Sequence, residues 1–313
     1  MTDGATNLLR ELEYALAEAD ALPVEEDARR RVLGRALSAR RPGPSSLAAP
    51  RIGGTEAFAR SVAQMDLLLG GLGAPDWHRR TIRGLDVQGL VGHLIGVERA
   101  FADAAEGLSG AAEPADHVAS TAPFAEAQRG RPPLDTLTEW REATARSLRA
   151  LAARADHDPA PGFYGISLPM DQLLVVRGFE IWVHHEDVRR ATGRGPEAPD
   201  DAVLGRMTEL AIDLLPAGLA RAGRLHPEPG PEVIRLVLTG PGGGTWVVPL
   251  DGSTATRPGD SGVEPSTRLV LDAVDFCRVA GNRLPPADAG AETDGDAAAV
   301  DDLLVGAAAL ALD

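Results

Sequence analysis

The sequence predicts an α+β fold: an N-terminal helix bundle followed by a smaller C-terminal unit that combines strands and helices. Two observations predict it. Four segments between residues 55 and 192 carry apolar residues at helical spacing, which is typical of a bundle. After residue 222 the pattern changes to short runs of valine, isoleucine and leucine separated by glycine-rich turns, which indicates strands. The 313 residues suffice for one large domain or for two of ordinary size.

Residues 1–54 are predicted to be a helical extension and linker outside the main fold. Helices are predicted at 5–20, where leucines recur at helical spacing, and at 24–39, where acidic residues precede arginines along the segment. Residues 41–54 are rich in proline, glycine and serine. Such a composition predicts a loop that leads into the bundle.

Residues 55–195 are predicted to form the bundle. Thr55 is a candidate N-cap for its first helix. The other three helices are predicted at 87–107, 134–154 and 170–192. The long segment between the second and third helices, residues 109–133, is rich in alanine, proline and glycine, so it is predicted to be an irregular connection.

Residues 196–313 are predicted to form the smaller α/β domain. Its predicted helices are 202–222, 272–284 and 296–312, and its predicted strands are 232–240, 244–252 and 266–273. The Pro-Gly-Gly-Gly run between the first two strands predicts a hairpin. It lacks the Lys-Ser/Thr pair that a phosphate-binding loop would need.

Charge and composition exclude several classes of function. All 31 basic residues are arginine, and the net charge is −15. Such an acidic chain is a poor partner for nucleic acid or for an anionic membrane surface, so neither is expected. Roughly 18 uninterrupted apolar residues would be needed to span a bilayer, and no stretch approaches that length. The N-terminus shows no secretory signal pattern, so a cytoplasmic location is expected.

The chain has a single cysteine, Cys277. One cysteine cannot form an internal disulfide, and it rules out a zinc site built from several cysteines. A lone cysteine can be a nucleophile, but a small buried apolar residue is the commoner role.

The sharpest local pattern is Glu180-Ile-Trp-Val-His184 on the fourth predicted helix. Residues four apart lie one above the other on a helix face, so this carboxylate and this imidazole can share one metal ion. Asp187 follows three residues later on the same face. The spacing is common, however, and also fits an ordinary surface pair at a polar helix end.

A second candidate ligand is His93, which lies on or beside the apolar stripe of the second predicted helix. A buried imidazole needs either a hydrogen-bond partner or a metal. Two histidines and one glutamate form a common catalytic zinc set with one coordination position left for water or substrate. The alternative for His93 is a core histidine whose hydrogen bonds are satisfied within the protein.

Two stretches that contain these residues resemble the mycothiol-dependent maleylpyruvate isomerase family of the DinB-like metalloprotein superfamily. They are residues 81–98, with Gly-His93-Leu-Ile, and residues 180–191, with Glu180-x3-His184 followed by Asp187. The resemblance spans roughly 55–285. It implies a DinB-like up-down four-helix bundle in which His93, Glu180 and His184 occupy the metal-ligand positions. His185 is an alternative ligand or a proton carrier.

The resemblance also implies roles for three further residues. Asp187 occupies an acidic position expected to orient a ligand or to shuttle a proton. Arg278, within Asp-Phe-Cys-Arg, and Arg283 look like the family's C-terminal ending. They are expected to bind a carboxylate of the thiol or of the substrate, with a surface salt bridge as the alternative for each.

The implied function is that of a metal-dependent enzyme, with zinc as the first choice of metal and mycothiol as the thiol co-substrate. A cation at the open coordination position would deprotonate the thiol near neutral pH. The thiolate would then attack a small electrophile. S-transfer, thiol exchange and thiol-assisted cis–trans isomerisation all remain open.

Two alternatives from other classes remain. One is a metal-dependent hydrolase that activates water at the open position. The other is a non-catalytic stress protein that binds a metal or a thiol. The sequence leaves the electrophile open, and it leaves monomer and homodimer as equal choices.

Overall fold

The computed structural model describes residues 49–108, 117–154, 162–164, 166, 168–226, 232–260 and 262–311. The predicted helices at 5–20 and 24–39 lie outside these residues. The described residues contain eight α-helices: α1 (Gly54–Gly70), α2 (Val87–Ala105), α3 (His117–Ala127), α4 (Pro133–Ala153), α5 (Met170–Ala191), α6 (Asp201–Ala222), α7 (Ala273–Ala280) and α8 (Ala297–Ala308). The strands are β1 (Val233–Thr239), β2 (Gly244–Pro249), β3 (Thr267–Asp272) and β4 (Glu292–Asp294). Short 3₁₀ helices occupy Ala74–His78, Ile82–Gly84 and Pro286–Asp288.

The four predicted bundle helices are present as α1, α2, α4 and α5. Helix α1 packs along α5, and α2 packs along α4. Their shared core is apolar and closed to solvent; its largest members include Phe58, Leu94, Phe101, Trp140, Leu173 and Ile181. Because aromatic residues make up only 4% of the chain, leucine, valine and alanine fill most of the remaining core volume.

Helix α3 corrects the prediction that residues 109–133 form an irregular connection. It occupies part of that segment and packs against α2. Its buried residues are His117, Thr121 and Ala125, which recur every four positions. This inward face is polar or small, and Pro123 lies within the helix. An apolar stripe, the usual signature of a packed helix, is therefore missing from the sequence.

Two glycines of α2 allow α3 to approach closely. A Cβ placed on Gly92 would lie 2.8 Å from the Cα of Ala125, and one on Gly96 would lie 2.7 Å from the ring of Phe124. Only a residue without a side chain tolerates such contacts. Gly92 is next to His93 in sequence, so this close packing brings α3 to the candidate ligand.

We predict that Gly92→Ala destabilises the fold. The added methyl group would meet the α3 backbone, which cannot move aside as a side-chain end can, so overpacking should lower the free energy of unfolding by about 1–3 kcal/mol. Gly205→Ala in α6 is the matched control, because its Cβ would meet no atom closer than 3.6 Å. The control should match or exceed wild-type stability, since alanine favours helix. Urea unfolding of both variants measures the difference; equal stabilities would contradict the close approach of α3.

The C-terminal part forms a four-stranded sheet with strand order β2-β1-β3-β4. Strands β1 and β2 pair antiparallel, which confirms the hairpin, while β1 and β3 pair parallel. The three predicted strands are confirmed, and the short exposed strand β4 was not predicted. Helix α7 ends at Ala280 rather than at the predicted residue 284, because Asn282 takes a left-handed conformation with φ 54°.

Helix α5 contributes to two apolar cores. Its Leu173 and Ile181 face the bundle, whereas Val175 and Trp182 pack into a second core with α6, α7, α8 and the sheet. All described residues belong to one compact unit. The proposed division at residue 195 into a bundle and a smaller domain therefore remains a prediction. Among the described helices, none has the length and apolarity needed to cross a membrane.

Candidate metal centre

Three side chains from three different helices converge at the centre of this site. They are His93 from α2, His117 from α3 and Glu180 from α5, and one potential ligand atom of each lies within 4.8 Å of the others. The sequence predicted His93 and Glu180 but missed His117, which lies within the segment 109–133 that shows no apolar helical stripe. The available signal was the pair of glycines flanking His93, which predicts a close helical neighbour.

The hydrogen bonds of His93 determine which ring nitrogen is free. Its Nδ1 lies 2.6 Å from the hydroxyl oxygen of Thr121. That hydroxyl has a single proton, which it donates to the backbone carbonyl of His117 at 2.7 Å. Thr121 must therefore accept the Nδ1 proton of His93. The Nε2 atom is then unprotonated and can act as a metal ligand.

Nε2 of His93 and Oε1 of Glu180 fit a shared metal ion. Both atoms are buried without a hydrogen-bond partner within the described residues, and they lie 3.5 Å apart. That is beyond an ordinary hydrogen bond, but two ligands held about 2.0–2.1 Å from one tetrahedral ion lie about 3.4 Å apart. Unpartnered buried polar atoms are rare in folded proteins. Their pairing here suits a cation between them.

The other oxygen of Glu180 is occupied. Arg177, one turn earlier on α5, donates through Nη1 to Oε2 of Glu180 and through Nη2 to Oε1 of Glu98 at 2.5 Å. Burial works to raise the pKa of Glu180, but the Arg177 charge, together with His93 and His184, holds that pKa well below its usual range. Glu180 is therefore an anion that presents one oxygen towards His93.

Arg177 and Glu98 are both completely buried, which is unusual for charged side chains. The second carboxylate oxygen of Glu98 accepts a hydrogen bond from Ser147 at 2.7 Å, and the Arg177 guanidinium stacks over Phe163. Burial alone would lower the pKa of Arg177, but Glu180 and Glu98 reverse the direction and raise it. No pattern in the sequence predicts this buried network of Glu98, Arg177 and Glu180.

His184 lies beside the cluster but outside the group of atoms within 4.8 Å. Its ring centroid is 5.4 Å from that of His93. Its Nδ1 lies 3.0 Å from Oδ2 of Asp187, so Nδ1 carries the proton and Nε2 is left with a lone pair. A carboxylate behind a histidine ring is the usual arrangement that orients metal ligands.

Asp187 is held in turn by Arg283, through bonds of 2.8 and 2.9 Å. Burial would raise the pKa of Asp187, but His184 and Arg283 lower it. The expectation that Asp187 orients a ligand agrees with this geometry.

The two arginines predicted to bind a substrate or thiol carboxylate instead hold carboxylates of α5. Arg283 binds Asp187, and Arg278 binds Glu186 at 2.7 Å and Asp275 at 2.8 Å. The side chain of Arg283 is only 7% exposed and that of Arg278 is 20% exposed. Both therefore secure α7 and the turn after it against α5, a role their spacing in the sequence could not reveal.

Two other chemically reactive residues lie away from the centre. His185 lines a separate cavity with Arg189 and Glu197, so its expected roles as ligand or proton carrier do not fit its position. Burial lowers its pKa to about 4.

Cys277 is fully buried, and burial raises its thiol pKa to about 12, as expected for a packing residue rather than a nucleophile.

An open cleft leads to the site. His117, Glu180 and His184 line it, together with apolar residues from α5, α6 and α7 and from the segment after α8. The apolar lining residues include Val176, Phe179, Val183, Leu210, Leu214 and Leu310. A small molecule in this cleft would contact the candidate ligands and an apolar wall at the same time.

Comparisons with known proteins agree with the resemblance found in the sequence. Residues 58–189 match the family described as the mycothiol maleylpyruvate isomerase N-terminal domain. The fold is similar to two crystal structures of the mycothiol-dependent maleylpyruvate isomerase, one of them a mutant in which alanine replaces a histidine. For each, the TM-score is 0.51 and the sequence identity 13%, and the match covers 78% of this chain and 92% of the other. None of the curated proteins compared with the chain matches it.

These matches confirm the predicted α+β class, with a helix bundle followed by a small sheet. At 13% identity the structural likeness shows the fold alone. All the candidate ligands, including His117, lie within the matched residues 58–189.

Proposed function

We propose that the chain, whose residues 58–189 match the mycothiol maleylpyruvate isomerase N-terminal domain, is a metal-dependent enzyme that activates mycothiol for attack on a small electrophile. The observation that carries the proposal is the pair of buried, unpartnered atoms, Nε2 of His93 and Oε1 of Glu180, that face each other beside the cleft. A cation between these two atoms would satisfy both, and the cleft would give a thiol access to it.

The proposed ligands are His93, Glu180 and His184, and zinc is the proposed metal. A divalent metal in this set would supply a Lewis acid that lowers the pKa of a thiol at the remaining position. His184 is chosen over His117 as the third ligand because its ring is fixed by Asp187, which leaves Nε2 free. His117 lies close enough to be the competing choice.

The protein's own residues hold this centre in place. Thr121 orients His93, and Asp187, fixed by Arg283, orients His184. Arg177 keeps Glu180 ionised with one oxygen available. The apolar residues of the cleft exclude water from the reacting thiol, which strengthens its attraction to a nearby positive charge.

The name of the similar structures supports cis–trans isomerisation of a maleyl-type double bond as the first reaction to test. S-transfer and thiol exchange require the same activated thiol and remain within the proposal. A cytoplasmic location, small-molecule partners only, and a monomeric or homodimeric state complete it.

The test is a set of matched assays on the purified full chain. Elemental analysis should find about one equivalent of metal, which a chelator removes and zinc restores. Maleylpyruvate and a reactive electrophile such as monochlorobimane are both offered, and conversion of either one should require metal and mycothiol together. Conversion with metal but without thiol would indicate a hydrolase. Stoichiometric metal with no conversion of any electrophile would indicate a non-catalytic binding protein.

A further inference from the structure

We propose that the electrophile is uncharged and largely apolar, rather than a dianion such as maleylpyruvate. This inference rests on the proposed function and specifies its substrate class. It follows from which side chains line the cleft, from the arginines that have partners elsewhere, and from the charge of the chain.

The described wall of the cleft carries no arginine side chain. Apart from the candidate ligands Glu180, His184 and His117, every lining residue is apolar or glycine. A carboxylate entering such a cleft would lose its water shell without gaining a hydrogen-bond donor, a penalty of several kcal/mol per ion. An apolar molecule instead gains roughly 25 cal/mol for each Å² of its surface that leaves water.

The arginines nearest to the site are occupied. All basic residues of the chain are arginine. Arg177 is buried between Glu98 and Glu180, Arg283 is bonded to Asp187, and Arg278 is bonded to Glu186. Drawing Arg283 or Arg278 into the cleft would break its ion pair with a buried carboxylate of α5, which is unfavourable.

Charge at the site and across the chain agrees with a neutral substrate. The buried pairs Arg177–Glu98 and Arg283–Asp187 each cancel, which leaves the single charge of Glu180. The charges of a divalent cation, of Glu180 and of a thiolate would sum to zero. The chain as a whole carries −15 and repels a dianion at long range. Neither contribution attracts a carboxylate.

Isomerisation of an uncharged cis-alkene that is conjugated to a carbonyl group needs no reactant other than the thiolate. The thiolate sulfur forms a bond to one alkene carbon, and the π electrons move onto the adjacent carbon and its carbonyl group. Rotation about the new single bond and loss of the same sulfur give the trans isomer and return the thiolate. Protonation of the carbanion by the proton that the thiol lost gives the addition product instead.

Diethyl maleate and maleate form a matched pair of probes that differ in charge and share the cis double bond. With metal-loaded protein and mycothiol, diethyl maleate should react at least about 100-fold faster than maleate, after each rate is corrected for the uncatalysed reaction. NMR measures the product, which is diethyl fumarate or the thiol adduct. The 100-fold factor corresponds to about 2.8 kcal/mol, within the several kcal/mol that burying a carboxylate costs. In the absence of thiol, saturation-transfer NMR on metal-free protein should show that diethyl maleate binds and that maleate does not. Faster turnover or tighter binding of maleate would overturn the inference.

Leu214 provides the variant, because it lines the cleft from α6 and is only partly buried. Leu214→Arg should raise the rate with maleate at least about tenfold relative to the matched control Leu214→Gln, because it places one cation on the cleft wall. No gain from the arginine would contradict the assignment of this wall to the substrate. If neither probe reacts with wild-type protein, although the diester binds, the proposed function fails while the apolar character of the cleft stands.

Discussion

His184→Ala is expected to lower the affinity of the protein for zinc by about 100- to 1,000-fold, and His93→Ala is expected to do the same. The estimate comes from structural zinc sites, where about 10–16 kcal/mol of binding energy is shared by four ligands, or about 2.5–4 kcal/mol each. Each ring offers a free Nε2 because its Nδ1 is bonded to Thr121 or to Asp187. Chelator competition measures the dissociation constants.

His117→Ala decides between the two possible ligand sets. If His184 is the third ligand, this variant should retain one equivalent of zinc with an affinity within about tenfold of wild type. If His117→Ala loses the metal and His184→Ala retains it, the ligands are His93, His117 and Glu180, the three side chains that lie closest together. Circular dichroism of each metal-free variant shows whether a loss reflects unfolding instead.

The control for these histidine variants is His226→Ala. His226 lies on the surface beside Asp302, at 2.9 Å, and its side chain is 33% exposed. Its removal should leave zinc affinity unchanged. Asp187→Asn gives a graded comparison, because loss of a carboxylate that orients a metal-binding histidine typically costs about 10- to 100-fold in affinity.

The parts of the fold that the sequence predicted correctly are those with strong periodic patterns. Helices α2 and α5 carry apolar residues every three or four positions, and the strands β1 to β3 are short apolar runs between glycine-rich turns. Glu180 and His184 could be grouped because their spacing on one helix fixes their relation. These features depend on local sequence alone.

The parts that were missed depend on contacts between distant segments. His117 lies on a helix without an apolar stripe, and its position is set by the close approach of α3 to Gly92. The partners of Arg278 and Arg283 lie more than 90 residues away, on α5. Sequence spacing cannot show that a distant carboxylate will take up an arginine, so both were assigned to a ligand from outside.

Arg177→Met is expected to destabilise the metal-free protein by about 3–5 kcal/mol, which is the usual cost of removing one partner from a buried ion pair. Methionine fills similar space but carries no charge, so Glu98 and Glu180 would be left as two buried anions without their cation. Urea unfolding in the presence of a chelator measures the loss. Arg177→Lys keeps the charge but cannot reach both carboxylates as a planar guanidinium does, so it should fall between wild type and Arg177→Met.

Arg146→Met is the matched control for charge, because Arg146 also bridges helices, through Asp103 and Glu106, but is 33% exposed. An exposed pair contributes about 0–1 kcal/mol, so the control should stay close to wild type. Zinc should recover part of the stability lost in Arg177→Met, since a bound cation would neutralise Glu180 in place of the arginine. Equal stability of the two methionine variants would show that Glu98 and Glu180 do not depend on Arg177. If zinc does not change the loss of stability in Arg177→Met, Arg177 contributes to folding alone and not to the proposed metal centre.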